Sequence, residues 1–300
     1  MGHDHGSGKK GGNLLIALAL NVGITVAQVV GGLLSGSLAL FADAAHNGSD
    51  AASIGIAYGA RRIAQRNANP KYTFGYNRAE VIGALINLTT LFVIALFLMW
   101  QAVDRFINPR PIEGTTMLIV GGIAFIEDAL SVWVLYRGQR QKMGVKAVMI
   151  HLVGDTLATL GVIVGALLIM FYGITWIDPA ITTAIAVYIV VHASLEIRKS
   201  IRLLMDTAPE DFEFDRMVRE VEALNGVEEF HHVHLWRLDE ERVALEAHVA
   251  VAEQDLREIE AIKRRIKDKL NSDFEVEHAT LEIEIAGRTD HVPSVIREGE

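Results

Sequence analysis

Six long apolar segments occupy most of the first two thirds of the chain. They cover residues 14–34, 37–60, 81–103, 115–136, 147–172 and 177–195. Each is close to the roughly 20 residues that an α-helix needs to cross a bilayer core about 30 Å thick. Buried helices of a soluble protein would need amphipathic helices around them, and the sequence before residue 206 contains no such pattern. The segments therefore predict six transmembrane helices in an α-helical membrane protein.

The composition agrees with a membrane protein and limits the chemistry of any metal site. Hydrophobic residues make up 51% of the chain and charged residues only 22%, whereas a soluble protein needs a more polar surface. The chain has no cysteine, which excludes disulfide scaffolds, thiolate zinc sites, iron–sulfur clusters and cysteine nucleophiles. A metal ion must therefore be held by His, Asp or Glu.

Charge is divided unevenly along the chain. Residues 1–206 carry 16 Lys and Arg against 12 Asp and Glu, whereas residues 207–300 carry 12 against 25. An acidic region of this kind repels nucleic acid and attracts cations. We expect metal ions, and no nucleic acid, as partners of the C-terminal part.

The loops between the segments differ in positive charge. One set of alternate loops carries 14 Lys and Arg, and the other set carries only Arg105 and Arg110. Because Lys and Arg are enriched in cytoplasmic loops, both termini are expected in the cytoplasm. Short loops and a compact C-terminal domain favour a bacterial plasma (inner) membrane over a eukaryotic vesicle. Short loops at Gly36 and at residues 172–176 make segments 1 and 2, and segments 5 and 6, antiparallel neighbours.

Two of the segments contain ionisable residues at the same spacing. His46 precedes Asp50 by four positions in segment 2, and His151 precedes Asp155 by four positions in segment 5. Residues four apart share one face of a helix, so each helix presents an imidazole beside a carboxylate. An ionisable group inside a span costs about 2.5 to 3.5 kcal/mol on insertion scales, which makes it a candidate functional residue.

Two such helix faces in contact provide two nitrogen and two oxygen ligands. This tetrahedral set suits Zn²⁺, with Co²⁺ and Cd²⁺ as alternatives, and disfavours soft Cu⁺. The other interpretation is that each His and Asp form a private hydrogen bond that makes insertion tolerable. Repetition of the pair in two spans of opposite direction favours the metal site, with His46, Asp50, His151 and Asp155 as ligands.

Further acidic residues within predicted spans include Asp43, Glu127 and Asp128. Glu127 and Asp128 are adjacent and point in different directions around their helix, so at most one of them faces a substrate path. Hydrogen bonding within the bundle is the favoured interpretation for them, and a proton-carrying role is the alternative. Asp43 either assists ion release or bonds to a neighbouring helix.

Short motifs along the chain carry a family resemblance. They are GSLAL at 36–40, ADAAHN at 42–47, TFGY at 73–76, HLVGD at 151–155, HHVHLW at 231–236 and EHATL at 277–281. Together they resemble the cation diffusion facilitator family of zinc transporters over residues 12–288. The resemblance implies a homodimeric antiporter that exports Zn²⁺ from the cytoplasm in exchange for protons. It also implies that the positions matching His46, Asp50, His151 and Asp155 coordinate the transported ion.

Residues 207–288 show a different pattern, which is typical of an α+β domain. The predicted order is a helix at 212–224, strands at 227–238 and 242–251, a helix at 256–270 and a strand at 274–285. The resemblance implies a cytoplasmic, ferredoxin-like domain, similar to a metallochaperone, that dimerises. The remaining predicted parts are a disordered N-terminus at 1–13, the transmembrane domain at 14–206 and a flexible tail at 289–300. His3 and His5 either capture zinc weakly or belong to the disordered terminus.

One face of the predicted sheet collects histidines and glutamates. His278, Glu282 and Glu284 lie on one side of the last strand, and His248 lies on the polar side of the strand before it. We predict a regulatory metal site, and the alternative is a solvated strand surface. Zinc bound there is expected to favour the tight dimer and activate transport. The candidate ligands are His231, His248, His278, Glu282 and Glu284, some of them supplied by the second protomer.

The predicted activity is metal/proton antiport, without enzymatic chemistry and without a cofactor. A ligand must lose its proton to bind a metal ion, and free histidine titrates at about pH 6.5, so zinc displaces protons from His46 and His151. An intramembrane zinc hydrolase typically needs a His-Glu-x-x-His motif, which the sequence lacks. A membrane zinc sensor that binds without transport is the alternative function. A passive channel would differ in having no proton dependence.

Overall fold

The computed structural model describes residues 7–138, 143–239, 242–252 and 255–286. The chain divides into two compact units. The first contains residues up to 59 together with residues 83–197, and the second contains residues 60–82 together with residues from 198 onward. His3, His5 and the predicted tail at 289–300 lie outside the described residues.

Six long helices form the region for which membrane helices are predicted, and they confirm the α-helical class. They are α1 (Ser7–Ser35), α2 (Leu38–Ala64), α3 (Ala79–Ile107), α4 (Gly114–Gly138), α5 (Met143–Tyr172) and α6 (Ile177–Leu204). Four of them, α3 to α6, contain segments long and apolar enough to cross a bilayer, and α1 contributes a shorter apolar stretch. The interior of α2 is more polar because it holds Asp43, His46 and Asp50.

Several of these helices extend beyond their apolar segments at the ends that carry positive charge. α2 continues through Arg61 and Arg62, and α6 continues through Arg202. α1 begins at Ser7, although residues 1–13 are predicted to be disordered. Once an apolar segment has nucleated a helix, each further residue is added at small cost, which explains these extensions.

The turns after α1 and α5 are as short as predicted, because a glycine reverses the chain in each. Gly36 has a φ of 73° and Gly173 a φ of 67°. Glycine adopts this left-handed conformation without the steric penalty that a Cβ brings. Only a few residues are therefore needed between α1 and α2 and between α5 and α6.

A buried carboxylate of α6 holds the start of α2. Asp178 accepts hydrogen bonds from the backbone N–H groups of Leu38 at 2.9 Å and Ala39 at 3.2 Å, and from the Ser37 hydroxyl at 2.5 Å. The first N–H groups of a helix have no partner within the helix, and a negative charge near them is favourable. Asp178 thus caps α2 from another helix.

The second unit contains the α+β domain in the predicted order. Its elements are α7 (Phe214–Glu222), β1 (Val227–Arg237), β2 (Val243–Val251), α8 (Leu256–Phe274) and β3 (Val276–Ile285). β2 is the central strand, antiparallel to β1 and parallel to β3. A parallel pair needs a crossover connection, which α8 supplies. The predicted α+β fold is confirmed.

The core of this domain lies between the two helices and one face of the sheet. Apolar residues recur at helical spacing in α8 and are buried together with alternate residues of the strands. The buried set includes Met217, Val221, Phe230, Val233, Leu245, Val249, Ile262, Ile266, Leu270 and Leu281. The other face of the sheet carries the histidines and glutamates.

β1 is irregular where its histidines lie. His231 pairs with His248, and the next aligned pair is His234 with Glu246, so β1 has one residue more than β2 in this interval. His232 has a positive φ of 48°. Such an extra residue is a β-bulge, and it shifts the alternation of side chains. As a result Phe230 and Val233 both join the core, while two successive histidines lie between them.

Candidate metal centres

The four predicted transmembrane ligands come together between α2 and α5. His46 Nε2 lies 2.8 Å from Asp155 Oδ1 and 3.9 Å from Asp50 Oδ2. His151 Nε2 lies 3.3 Å from Asp50 Oδ2 and 3.6 Å from Asp155 Oδ2. One ligand atom from each residue lies within 4.8 Å of the other three. We refer to these four residues as the transmembrane cluster.

The separations in the transmembrane cluster are close to those around one four-coordinate ion. With metal–ligand bonds of about 2.0 to 2.2 Å, neighbouring ligand atoms of a tetrahedron lie about 3.3 to 3.6 Å apart. The four distances between nitrogen and oxygen range from 2.8 to 3.9 Å and bracket this value. The two shortest contacts join different helices, which argues against the interpretation that each helix satisfies its own His–Asp pair.

The transmembrane cluster is buried on one side and accessible on the other. His46 and Asp155 are 7% and 6% exposed. The side chains of Asp50 and His151 are 37% and 34% exposed. An ion can therefore approach through Asp50 and His151 and still be held by two ligands that are withdrawn from solvent.

Neighbouring helices hold α2 through polar side chains. From α1, Gln28 donates a hydrogen bond to Asp43 at 2.5 Å and accepts one from Asn47 at 3.1 Å. From α3, Asn87 donates to the Ser49 hydroxyl at 2.9 Å. Asp43 thus bonds to a neighbouring helix, which was one of its two interpretations. These contacts lie on both sides of His46 and restrict its helix.

A similar contact holds α5. The Thr159 hydroxyl donates to Asp128 of α4 at 2.6 Å and lies 2.9 Å from the backbone carbonyl of Asp155. Asp128 is buried, whereas Glu127 is only half-buried. Hydrogen bonding within the bundle, the favoured interpretation of Asp128, is therefore observed. It connects α4 to the turn of α5 that carries a ligand.

Two residues of α6 lie beside the transmembrane cluster and were not predicted. The rings of Tyr188 and His46 are 6.1 Å apart, and those of His192 and His151 are 6.4 Å apart and stacked. Tyr188 also lies beside Gly154 of α5, where a Cβ would be 3.6 Å from the Tyr188 hydroxyl, an ordinary van der Waals contact. The signal available in the sequence was an ionisable histidine inside an apolar span.

Three of the five candidate ligands in the second unit form another group, the sheet cluster. His231 Nε2 lies 3.4 Å from Glu284 Oε2, and His248 Nδ1 lies 2.6 Å from Glu284 Oε1. The three residues offer ligand atoms that all lie within 4.8 Å of one another. Each comes from a different strand, so the sheet itself assembles the group.

The other two candidate ligands are placed differently. Glu282 lies opposite His248 in the sheet, 3.5 Å from its Nε2, but its side chain is 69% exposed. His278 lies opposite Ala244, and its ring packs edge-to-face on Phe74 at 5.9 Å. Four residues of extended strand separate His278 from Glu282, which is about 13 Å. The structure does not bring His278 into the sheet cluster.

Two further histidines on this face, His232 and His234, were not among the predicted ligands. Their Nε2 atoms are 3.3 Å apart. The ring of His232 is also 4.7 Å from that of His248. In a strand without a bulge, His232 would lie on the opposite face of the sheet from His231. Its contacts with His234 and His248 would then not form. The sequence signal was the HHVH run itself.

Comparison with known proteins follows the same division of the chain. Residues 14–205 match the cation efflux transmembrane domain, and residues 209–286 match the cytoplasmic domain of cation efflux proteins. The metal-bound C-terminal domain of the CzcD transporter from Cupriavidus metallidurans is a solved structure with 26% identity and a TM-score of 0.23. That match covers 24% of this chain and 99% of the solved domain.

Full-length relatives resemble almost the whole chain. The zinc transporter ZitB of Pectobacterium atrosepticum is 35% identical, over 95% of this chain and 89% of the relative. The metal cation efflux system protein CzcD of Cupriavidus metallidurans is 34% identical, over 95% and 91%. A cadmium, cobalt and zinc/H⁺–K⁺ antiporter of Bacillus subtilis is 32% identical, over 95% and 92%. With both domains matched in order, this membrane chain belongs to the cation efflux family.

Proposed function

We propose that this protein exports divalent metal cations, chiefly Zn²⁺, across the membrane by metal/proton antiport. The observation that carries the proposal is the convergence of four ligand atoms from two membrane helices within 4.8 Å. Ionisable residues are rare inside membrane helices and mark ion pathways where they occur. The names of the relatives, which describe zinc transport, cation efflux and antiport, support the same function.

The ligand set decides which ions are transported. Two imidazoles and two carboxylates suit Zn²⁺, and also Co²⁺ and Cd²⁺, in tetrahedral coordination. One relative is named for cadmium and cobalt as well as zinc, which supports this range. In our proposal His46, Asp50, His151 and Asp155 hold the ion as transported substrate and not as a resident cofactor.

Proton exchange follows from the chemistry of these ligands. An imidazole binds a metal ion only after it has lost its proton from the coordinating nitrogen, so ion binding releases protons and protonation releases the ion. Both His46 and His151 direct Nε2 at the carboxylates of the cluster. A site that opens alternately to the two sides therefore exchanges Zn²⁺ for protons with each cycle.

The orientation rests on the distribution of positive charge. Both termini are proposed to lie in the cytoplasm of a bacterial cell, with the helices in the plasma membrane. We assign residues 14–206 to transport and residues 207–288 to the cytoplasmic domain. The family matches at 14–205 and 209–286 support this division.

The cytoplasmic domain is proposed to form a homodimer and to regulate transport. Its family match concerns a domain of cation efflux proteins, and its sheet cluster of His231, His248 and Glu284 offers two nitrogens and one carboxylate. An ion bound there would tie the three strands together, and a ligand from the second protomer can complete its coordination. Zinc in the cytoplasm would then favour the active dimer.

Zinc flux into liposomes tests the proposal. The purified full-length protein is reconstituted, a pH gradient is imposed, and Zn²⁺ is followed with a dye enclosed in the vesicles. The comparison includes wild type, Asp50→Ala and Asp155→Ala, with Asp104→Asn as matched control because Asp104 is an acidic residue of α3 outside the cluster.

We expect flux that depends on the pH gradient in wild type and in Asp104→Asn, and none in the two cluster variants. Zinc binding without flux in wild type would identify a sensor. Flux that persists without a pH gradient would identify a channel. Flux that survives both substitutions would show that the cluster is not the transport site.

A further inference from the structure

We propose that β1 carries a second divalent-cation site, formed by His232 and His234, beside the sheet cluster. The ligand class is a borderline divalent metal such as Zn²⁺ or Co²⁺, for which imidazole nitrogen is a preferred ligand. The proposal concerns the α+β domain alone and does not depend on transport. Its evidence is the geometry of two side chains that neither the transmembrane nor the sheet cluster includes.

The two imidazoles are arranged as a chelating pair. Their Nε2 atoms are 3.3 Å apart, and their rings are perpendicular with centroids 4.7 Å apart. Two nitrogens that bind one zinc ion at about 2.0 to 2.1 Å with tetrahedral angles lie about 3.3 to 3.4 Å apart. The observed separation equals the distance that a shared ion requires.

The alternative use of this pair is a hydrogen bond between the rings. Hydrogen bonds from nitrogen have their mode at about 2.9 to 3.0 Å and extend to about 3.2 Å, so 3.3 Å is long for that interaction. Both side chains are exposed, and water satisfies exposed imidazoles without bringing them together. A shared ion gives a reason for the approach that an exposed hydrogen bond does not.

The β-bulge creates the pair. In a regular strand, His232 would point into the core in the place that Val233 takes. Because of the extra residue, Val233 points into the core and His232 lies on the same face as His234. His232 adopts a positive φ of 48°, a conformation that is uncommon for residues other than glycine. Backbone strain of this kind collects at ligand sites, where the surrounding structure maintains it.

The surrounding charge favours a cation. Glu246 lies directly opposite His234 in the register and is exposed on the same face of the sheet. Directly opposed side chains of an antiparallel pair are close neighbours. The carboxylate adds negative charge beside the pair, and water completes the coordination of an exposed ion.

The pair also adjoins the sheet cluster. The ring of His232 is 4.7 Å from that of His248, which belongs to that cluster. The pair offers two protein ligands and the sheet cluster offers three, so the pair binds its ion more weakly, and repulsion from a cation in the neighbouring site weakens it further. The domain would then fill its two sites at two different zinc concentrations.

The test counts ions bound to the full-length protein in detergent micelles, by equilibrium dialysis against Zn²⁺ and metal analysis. The main variant is His232→Asn with His234→Gln, because asparagine tolerates the positive φ at position 232. His234→Gln alone is a second variant that leaves the bulge residue unchanged. His278→Gln is the matched control, a histidine of the same sheet outside both sites.

We expect the double variant to bind one Zn²⁺ fewer per protomer than wild type and His278→Gln. His234→Gln should weaken the binding of that ion at least about tenfold. His231→Ala, which removes a ligand of the sheet cluster, should still bind the ion at His232 and His234. An unchanged count in the double variant overturns the proposal. So does the loss of two ions, because the pair would then only support the sheet cluster. A dissociation constant weaker than about 1 mM for the second ion would show adventitious binding.

Discussion

The two metal clusters bring the same kinds of side chain together by different means. In the membrane unit two helices each supply a histidine and an aspartate one turn apart, and the packing of α2 against α5 completes the group. In the α+β domain three strands each supply one residue, and the hydrogen-bonded sheet completes the group. A helix contact can separate while both helices stay folded, whereas strands of one sheet cannot.

This difference assigns a role to each cluster in our proposal. A site that must load on one side of a membrane and unload on the other has to come apart without unfolding, which two helices permit. A site that reports an ion concentration has to keep its geometry, which a sheet ensures. Substitutions in the two clusters test this difference, because one cluster should determine the maximal flux and the other the zinc concentration at which flux is half-maximal.

The largest effect is expected for a transmembrane ligand. His46→Ala should lower zinc flux at least about 100-fold, since even the outer partners of metal ligands are worth about 10- to 100-fold. Flux into reconstituted liposomes measures it, with His278→Ala as the control histidine from the other unit. Near-normal flux in His46→Ala would show that the transmembrane cluster is not the transport site.

A sheet ligand should affect sensitivity and leave capacity unchanged. Glu284→Gln removes the carboxylate that contacts both His231 and His248. We expect the zinc concentration for half-maximal flux to rise by about tenfold, with the maximal rate retained. The measurement is flux at increasing zinc on the loading side. A fall in the maximal rate equal to that of His46→Ala would mean that both clusters serve transport directly.

A smaller effect is expected for the carboxylate that caps α2. Asp178→Asn keeps the shape of the side chain but removes its charge from the N–H groups of Leu38 and Ala39. A negative charge near a helix N-terminus is worth up to about 2 kcal/mol where it is withdrawn from water, so the free energy of unfolding of the membrane unit should fall by about 1 to 2 kcal/mol. Thermal melting in detergent measures the loss, and Asp104→Asn is the control. A melting temperature equal to that of wild type would contradict the capping role.

The smallest effect concerns ion pairs that link α7 and α8 outside the membrane. Hydrogen bonds from Lys269 and then from Arg216 hold the pKa of Glu220 below its usual value of 4.5. A lowered carboxylate pKa contributes stability at neutral pH that is lost as the pH falls through the lowered value. Lys269→Met should therefore lower the melting temperature slightly at pH 7 and not in strong acid.

Salt screening provides the control for this ion-pair prediction. The effect of Lys269→Met should shrink at high salt, because exposed ion pairs are screened. Lys267→Met, which changes an exposed lysine of the same helix, should have a smaller effect at every pH. An equal loss of stability at pH 7 and in acid would indicate lost packing of the lysine stem in place of lost charge.

The transmembrane cluster could be predicted because its spacing is local. His46 and Asp50 share a helix face by sequence alone, as do His151 and Asp155, and repetition of the pair pointed to one site. The contact with Tyr188 could not be predicted, since it depends on how α6 packs against Gly154.

The sheet cluster was only partly predictable. Alternation along a strand identifies the residues on one face, but it does not say how far apart they lie across strands. His278 and Glu282 share a face, yet the register places Glu282 beside His248 and His278 far along the strand. The bulge at His232 is a further feature that period-two alternation does not contain, because it breaks that alternation.

The Asp178 cap has a mechanical consequence. Because the carboxylate belongs to α6, the start of α2 is anchored, and a tilt of α2 away from α5 pivots at residues 37–39. Asp50 lies about 18 Å along the helix from this pivot, and His46 about 12 Å. A tilt of about 10° then moves Asp50 by about 3 Å and His46 by about 2 Å. We expect the anchored helix to act as a lever that moves the accessible ligand, Asp50, further than the buried ligand, His46.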